Sequence, residues 1–573
     1  MAVPSVPAAA APPTVSAADH MTRVIVAYDD AGAAARAVGR AGGTVGRALS
    51  IVESFTAEIP DTQLSALRAA PGVRSVTIDG EVALQAERWR ADGDANSMFS
   101  VVRATGALDV WKTDDAGGRP IGGTGVGIAL IDSGVTPVVG LNDPARIING
   151  PDLSFESQAA NLRYVDTFGH GTHMAGLIAG RDPGTNFRTV DSPTNFTGMA
   201  PTSTLISVKV ATADGATDVS QVIAGIDWVV THRNDPGLNI KVLNLSFGTD
   251  SYQDAKLDPL SHAVEAAWKK GITVVVSAGN DGKTRTALSM PAANPYVIAV
   301  GAADSKGTDS RSDDVLADFS TRGNTTRTAD LTAPGRSIVG LRDPGAYVDV
   351  NYPTGLVPGD TTGRYFRGSG SSQAAAITSG AAALLLQQRP GLTPDQVKKL
   401  LVSTADTMSA GDVLGRGSGQ LNIKKAIEAP TPTNATQTWA STTGTGTLEA
   451  SRGSAHVADP VTGAELTGEK DIMGRPWTAA NWARSATAGT AWTGGTWNGA
   501  TWTGTSLGGN TTTGRSWVAV GWSGNSWAGR TWSGRTWSGA VWDGRTWSGR
   551  TWSGSTWSGR TWSGSYWSDA VWQ

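Results

Sequence analysis

Between Gly122 and about Ile427 the chain alternates short apolar runs with segments whose apolar positions recur at helical spacing. VGIALID, STLISVKVA, VLNLSF, ITVVVSAGN and VIAVGAA run almost unbroken, as strands do when helices cover both faces of a parallel sheet. VSQVIAGIDWVVTHR and LSHAVEAAWKKG carry one apolar stripe each, and the second stops at a Gly. The pattern predicts an α/β domain.

Upstream, from Val24 to about Leu84, come VIVAY, an Ala-rich stretch, a break at Gly42 and Gly43, then IVESFTAEI, LSALRAA and VRSVTID. They predict strand, helix, strand, helix, strand: a small α+β unit over residues 22–85. After Pro430 the composition turns to Thr, Gly, Ser, Ala and Trp, so a linker is expected over 429–476. From Trp477 to Trp572 every fifth position holds Trp except Thr487, Leu507 and Thr512, which marks residues 477–573 as an internal repeat. A five-residue period could close into a square β-solenoid with one pentad a side. The alternative is a disordered tail, because so few aliphatic residues offset little chain entropy.

Composition narrows the function. At 573 residues the chain exceeds the roughly 250–300 at which one core stops growing. Its 47 basic and 50 acidic residues leave a formal charge of -3, so no nucleic-acid partner is expected. Cys is absent, which excludes disulfides, a thiolate nucleophile and a Cys-ligated zinc. The longest nearly apolar run, Ala374 to Leu386, is shorter than the about 20 residues that span a bilayer. Residues 1–21 are small and apolar but lack a basic start, which suits either a leader remnant or a disordered Ala/Pro extension.

Four segments carry chemistry. Asp132 ends the VGIALID strand, where open α/β sheets place their sites, although an Asp there often serves a turn or a helix cap. His170 lies in GHGTHMAG, whose second His, His173, reads as structural; a metal site would need ligands that the remaining His do not supply. Ser372 lies in GSGSSQAAA at the head of an Ala- and Leu-rich helix, where free amides favour negative charge. A Ser-rich cap would look similar. Asn280 follows the strand ending VSAGND, which is also an ordinary turn sequence.

In the order Asp132, His170, Asn280, Ser372 these segments resemble the subtilase family, with further matches at Gly198 to Pro201, Val208-Lys209-Val210, Pro291 to Gly301 and Ala333-Pro334-Gly335. Chymotrypsin-like enzymes and α/β-hydrolases use other orders. The resemblance implies a subtilisin-like sheet over residues 96–428. It implies Asp132 orienting His170, His170 taking the Ser372 proton, and Asn280 with the Ser372 amide forming an oxyanion hole. Ser246, Phe247 and Gly248 would pair with extended polypeptide substrate, with Ser277 and Gly279 beside them. The unit at 22–85 resembles the inhibitory propeptide of subtilases, so self-cleavage is expected between about Leu84 and Asn96. Ser371, Gln373 and Ala376 stand where the family usually has Thr, Met and Pro.

No cofactor is expected for catalysis. Structural calcium, which many subtilases hold, is not indicated by any dense Asp/Asn loop. A monomer acting outside the cell or at its envelope is expected. Seven Arg against two Asp from Trp477 onward, with regularly spaced indoles, suit a tail that binds cell-wall polysaccharide. The rival class is a non-catalytic scaffold bearing an adhesive tail.

Overall fold

The computed structural model describes residues 21–79, 88–159, 161–189, 192–308, 310–408, 412–458, 464–502 and 518–519. The expected leader, the start of the expected cleavage stretch and the repeat beyond Trp502, apart from Val518–Ala519, lie outside them. The chain divides into two compact units, Met1–Glu87 and Arg88–Gln573.

In the first unit β1 (Met21–Tyr28), α1 (Ala31–Arg40), β2 (Thr44–Leu49), β3 (Ser54–Pro60), α2 (Leu64–Arg68) and β4 (Val73–Ile78) form an antiparallel sheet of order β2-β3-β1-β4 with two helices. Val24 and Val26 of β1 alternate inward against Phe55, Ala57 and Ile59 of β3 and the Ala34, Ala37, Val38 stripe of α1. Asp30 starts α1 by accepting from the Ala33 amide at 3.0 Å. The extra strand, β2, is an edge whose residues are almost all exposed, so its sequence carries no alternation.

The second unit opens with α3 (Met98–Ala104) and α4 (Ala107–Trp111). Its sheet is built from β5 (Gly127–Asp132), β6 (Ile147–Asp152), β7 (Thr204–Lys209), β8 (Ile240–Leu245), β9 (Thr273–Ser277), β10 (Ile298–Asp304), β11 (Val315–Leu316) and β12 (Leu331–Pro334). The order is β11-β10-β9-β8-β5-β7-β6, with β12 also on β10; all pairs are parallel except β10 with β11. Two helical layers cover it. One contains α5 (His170–Ala179), which packs on α9 (Ser371–Gln388), and the other pairs α6 (Val219–His232) with α7 (Pro259–Lys269). The predicted α/β fold is the one observed. Between the layers' residues, a hairpin of β13 (Ile338–Leu341) and β14 (Tyr365–Gly368), spanning α8 (Tyr347–Asn351), leads straight into α9.

The expected linker is folded. After α10 (Pro394–Ser403), α11 (Val413–Arg416) and α12 (Ile423–Glu428), the chain forms α13 (Leu448–Arg452) and β15 (Val457–Ala458). Leu448, Val457, Leu466 and Ile472 join the main core. The Arg452 side chain is fully buried and donates to Asp218, the residue capping α6, at 2.7 Å. Its other nitrogens reach Glu449 and the Gly468 and Lys470 carbonyls. These apolar residues are too scattered for any period to reveal them.

The repeat also departs from expectation. Its start forms α14 (Ala479–Ala488) and the two-residue strands β16 (Trp492–Thr493), β17 (Thr496–Trp497) and β18 (Ala500–Thr501), not coils of a solenoid. Trp477, Trp482, Trp492, Trp497 and Trp502 are buried among one another and in the core, with α14 on α7 and β16 on α6. Trp482 and Trp497 both donate their indole N–H to Asp227 Oδ2 of α6 at 2.8 Å, and Trp492 donates to the Ala224 carbonyl at 2.7 Å. Thr487, where the period lapses, lies on α14 with its hydroxyl 3.1 Å from His262 Nε2. These five indoles therefore do not offer the exposed faces that sugar stacking requires.

Candidate active site

The site is delivered by strand register. β8 lies between β5 and β9, with Ile131 abreast of Leu245 and Leu245 abreast of Val276. One step further along, Asp132, Ser246 and Ser277 stand in a row at the carboxyl edge of neighbouring parallel strands about 4.8 Å apart. The turn beyond Ser277 presents Gly279 and Asn280.

Asp132 is buried and holds His170, the first residue of α5: Nδ1 lies 2.8 Å from Oδ1 and 2.9 Å from Oδ2. Asp132 Oδ1 also accepts from the Ser133 amide at 2.8 Å. The amino end of α5 is capped by Asp166, which accepts from the Gly169 and Thr172 amides, each at 2.7 Å. Gly171 is dictated by close approach, since a Cβ there would run into the Gly134 carbonyl oxygen. The neighbouring His173 is buried, which pushes its imidazole down to about 3 and keeps it neutral; the proximity of the His170 ring acts in the same direction.

Ser372 sits in the first turn of α9. Its Oγ donates to the Ser246 carbonyl at 2.9 Å, and Ser246 Oγ donates to the Ser372 carbonyl at 3.2 Å. Because Ser246 follows β8 and Asp132 ends β5, these two pairs fix the Ser372 segment and the His170 imidazole on adjacent strands. Asn280 Oδ1 accepts from the Ser371 amide at 2.8 Å and from the Ser371 hydroxyl at 2.9 Å. With the oxygen so held, the orientation of the Asn280 carboxamide is fixed. A Cβ built on Gly370 would lie 3.2 Å from Asn280 Nδ2 and 3.6 Å from the Ser372 amide nitrogen, so these two donors border one space.

The substrate-binding candidates stand along the same edge. Phe247 is buried, and Gly248 leaves room for the Ser289 side chain and the Met290 carbonyl. Thr249 then pairs with Met290 in an antiparallel bridge. Gly279 has φ +108° and no room for a Cβ, which would lie 2.5 Å from Ser289 Oγ and 2.7 Å from Thr321 Oγ1.

Sequence reasoning missed the groups behind Asp132. Ser133 Oγ bridges to Asp166 Oδ1 at 2.8 Å and accepts from the Gly171 amide at 3.0 Å. Lys209, fully buried at the end of β7, donates to the Ser133 carbonyl at 2.6 Å and pairs with Glu156 at 3.0 Å. Burial pulls its ammonium down, but Glu156, Asp152 and Asp166 outweigh that and raise it. The available signal was a Lys inside an otherwise apolar strand. Among the described residues no cluster of His, Asp or Glu forms a metal-binding set, and no helix is long and apolar enough to cross a membrane.

Comparison with known proteins points one way. The family model described as "Subtilase family" matches residues 123–446. Serine protease AprX of Bacillus subtilis (strain 168) is 36% identical over 316 residues, which are 54% of this chain and 68% of that protein. Subtilisin DY of Bacillus licheniformis is 30% identical over 319 residues, 55% of this chain and 96% of that protein. Subtilisin of Bacillus pumilus is 32% identical over 308 residues, 53% and 92% respectively.

Proposed function

The chain belongs to the subtilase family of serine peptidases, and from that premise we propose a secreted, self-processing endopeptidase in which Ser372 is the nucleophile, His170 the general base, Asp132 its orienter and Asn280 an oxyanion donor. The observation that carries these assignments is the row at the sheet edge, with His170 clasped by both oxygens of Asp132 on one strand and Ser372 anchored to Ser246 on the next.

In the reaction the Ser372 hydroxyl turns from the Ser246 carbonyl to His170. Its oxygen adds to the scissile carbonyl carbon while the imidazole takes its proton. The carbonyl oxygen becomes an oxyanion, met by the Asn280 amide and the Ser372 backbone N–H at the positive end of α9. Collapse breaks the C–N bond, and His170 returns the proton to the leaving amine. Water then repeats the sequence on the acyl-enzyme. Asp132 remains a carboxylate that fixes the tautomer and stabilises the imidazolium. Substrate lies extended along Ser246 to Gly248 as an added strand, which makes the side-chain preference broad.

The small first unit serves as inhibitor of its own peptidase until self-cleavage between about Leu84 and Asn96 releases it. The test is to incubate purified protein with unfolded casein and with a sulfonyl or phosphonyl fluoride. Hydrolysis together with a label on Ser372 is expected; neither, after time for maturation, would return the chain to the non-catalytic scaffold reading. Residues 22–84 added in trans should inhibit, and a mature form still beginning before Val24 would contradict the propeptide assignment.

A further inference from the structure

Gln373, the residue after the nucleophile, is fully buried, and among the described residues neither its Oε1 nor its Nε2 makes a hydrogen bond. Its neighbours on α9 are matched: Ser371 with Asn280, Ser372 with Ser246, Thr378 with the Ala374 carbonyl and Ser379 with Asn244. Folding selects against stranded amides in the interior, because each forfeits its bonds to water, so an unmatched one beside a reactive group calls for a ligand.

Its position says which ligand. The point beside Gly370 that lies 3.2 Å from Asn280 Nδ2 and 3.6 Å from the Ser372 amide lies 2.8 Å from Gln373 Oε1. Three side-chain and backbone groups thus border one small space, kept open by the missing Cβ of Gly370. Two of them are the donors assigned to the oxyanion.

We infer that Gln373 is a further catalytic residue, a third donor whose Nε2–H bonds the oxyanion of the tetrahedral intermediate. The inference rests on Ser372 being the nucleophile. Among the described residues no partner holds either end of the carboxamide, so a half-turn about its last bond exchanges Oε1 for Nε2 without breaking a hydrogen bond. Gln373 makes and breaks no covalent bond. The charge that appears on the carbonyl oxygen as Ser372 Oγ adds is shared among three donors instead of two. In the resting state the amide is unmatched and in the transition state it is satisfied, which is the differential interaction that lowers a barrier. A Met there, the residue the family usually carries, would donate nothing.

The experiment compares Gln373→Met and Gln373→Glu with the wild type on a peptide amide. Gln373→Met should lower kcat by about tenfold or more with little change in KM, while its thermal midpoint holds or rises because a stranded amide has gone. Measured relative to wild type at each pH, Gln373→Glu should be slow at neutral pH and close the gap as pH falls, since only the protonated carboxyl can donate while protonation of His170 slows both chains alike. That recovery is a signature that a packing role would not give. Gln373→Leu serves in place of Gln373→Met if the latter fails to fold. An unchanged or higher kcat in a folded Gln373→Met or Gln373→Leu chain, with wild-type Ser372 labelled by phosphonyl fluoride, overturns this inference alone; a wild type that is never labelled overturns the nucleophile assignment and this inference with it.

Discussion

Asn280 is fastened by its oxygen to two donors of Ser371, so the proposed oxyanion donor has its carboxamide oriented before substrate arrives. Such preorganisation is what makes a donor worth more in the transition state than in water. Asn280→Ala should therefore lower kcat by about 10²- to 10³-fold at little cost in KM, measured on a chromogenic peptide. Lys209 makes a different case. Lys209→Met would leave Glu156 and Asp152 as buried charges without their cation, a loss of about 3–5 kcal/mol of stability, and would free the Ser133 carbonyl behind Asp132. Chemical denaturation should register the stability loss, and a fall in kcat should accompany it. The segments that hold Asp132, His170 and Ser372 stand out in the sequence because each is a short string in which glycines or a strand end allow few alternatives. The Lys209 network does not, because Glu156 and Lys209 are 53 positions apart and only the fold of β6 and β7 joins them.

Elements with strong periodicity were legible and those without it were not. The unbroken apolar runs of β5, β7, β8, β9 and β10 are the central strands, whereas exposed β2 and the scattered core residues after Pro430 gave no pattern. The face of α6 and α7 shows the consequence. Burial pushes the Asp227 carboxyl up to about 7, against the pull of the Trp497 and Trp482 indole N–H groups. Nearby His262, whose ring edges Trp482, is itself pushed down by burial. Because the folded chain holds the Asp227 proton more tightly than the unfolded chain does, this group's contribution is full below the ordinary carboxylate range and is lost as pH rises through about 7. Asn at 227 accepts from both indoles with no charge to bury. The Asp227→Asn chain should thus melt higher than wild type at about pH 8, with the gap closing toward about pH 5; parallel melting curves at both would refute the titration.

At the scale of the molecule, the region after Pro430, as far as Trp502, is not the detachable appendage that its composition suggests. The described residues between Leu448 and Trp502 cover α6 and α7, supply partners to Asp218, Asp227 and His262, and bury five indoles. A chain ended near Thr433 should melt well below the full chain and aggregate, while one ended just after Ala519, which keeps the pairing of Val457 with Ala519, should keep both its stability and its casein activity. Equal stability of the two shortened chains would show the docked indoles to be ornamental. Those indoles lie against α6 and α7, whereas His170 and Ser372 belong to α5 and α9, so each helical layer has a reporter of its own. Hydrolysis of a chromogenic peptide follows one layer, and, in a chain whose other tryptophans are replaced by phenylalanine, the ultraviolet emission of the five clustered ones, which reddens as water reaches them, follows the other. Recorded together along a urea gradient, colour and fluorescence would reveal without any added dye whether the tail unfastens before the catalytic edge is lost.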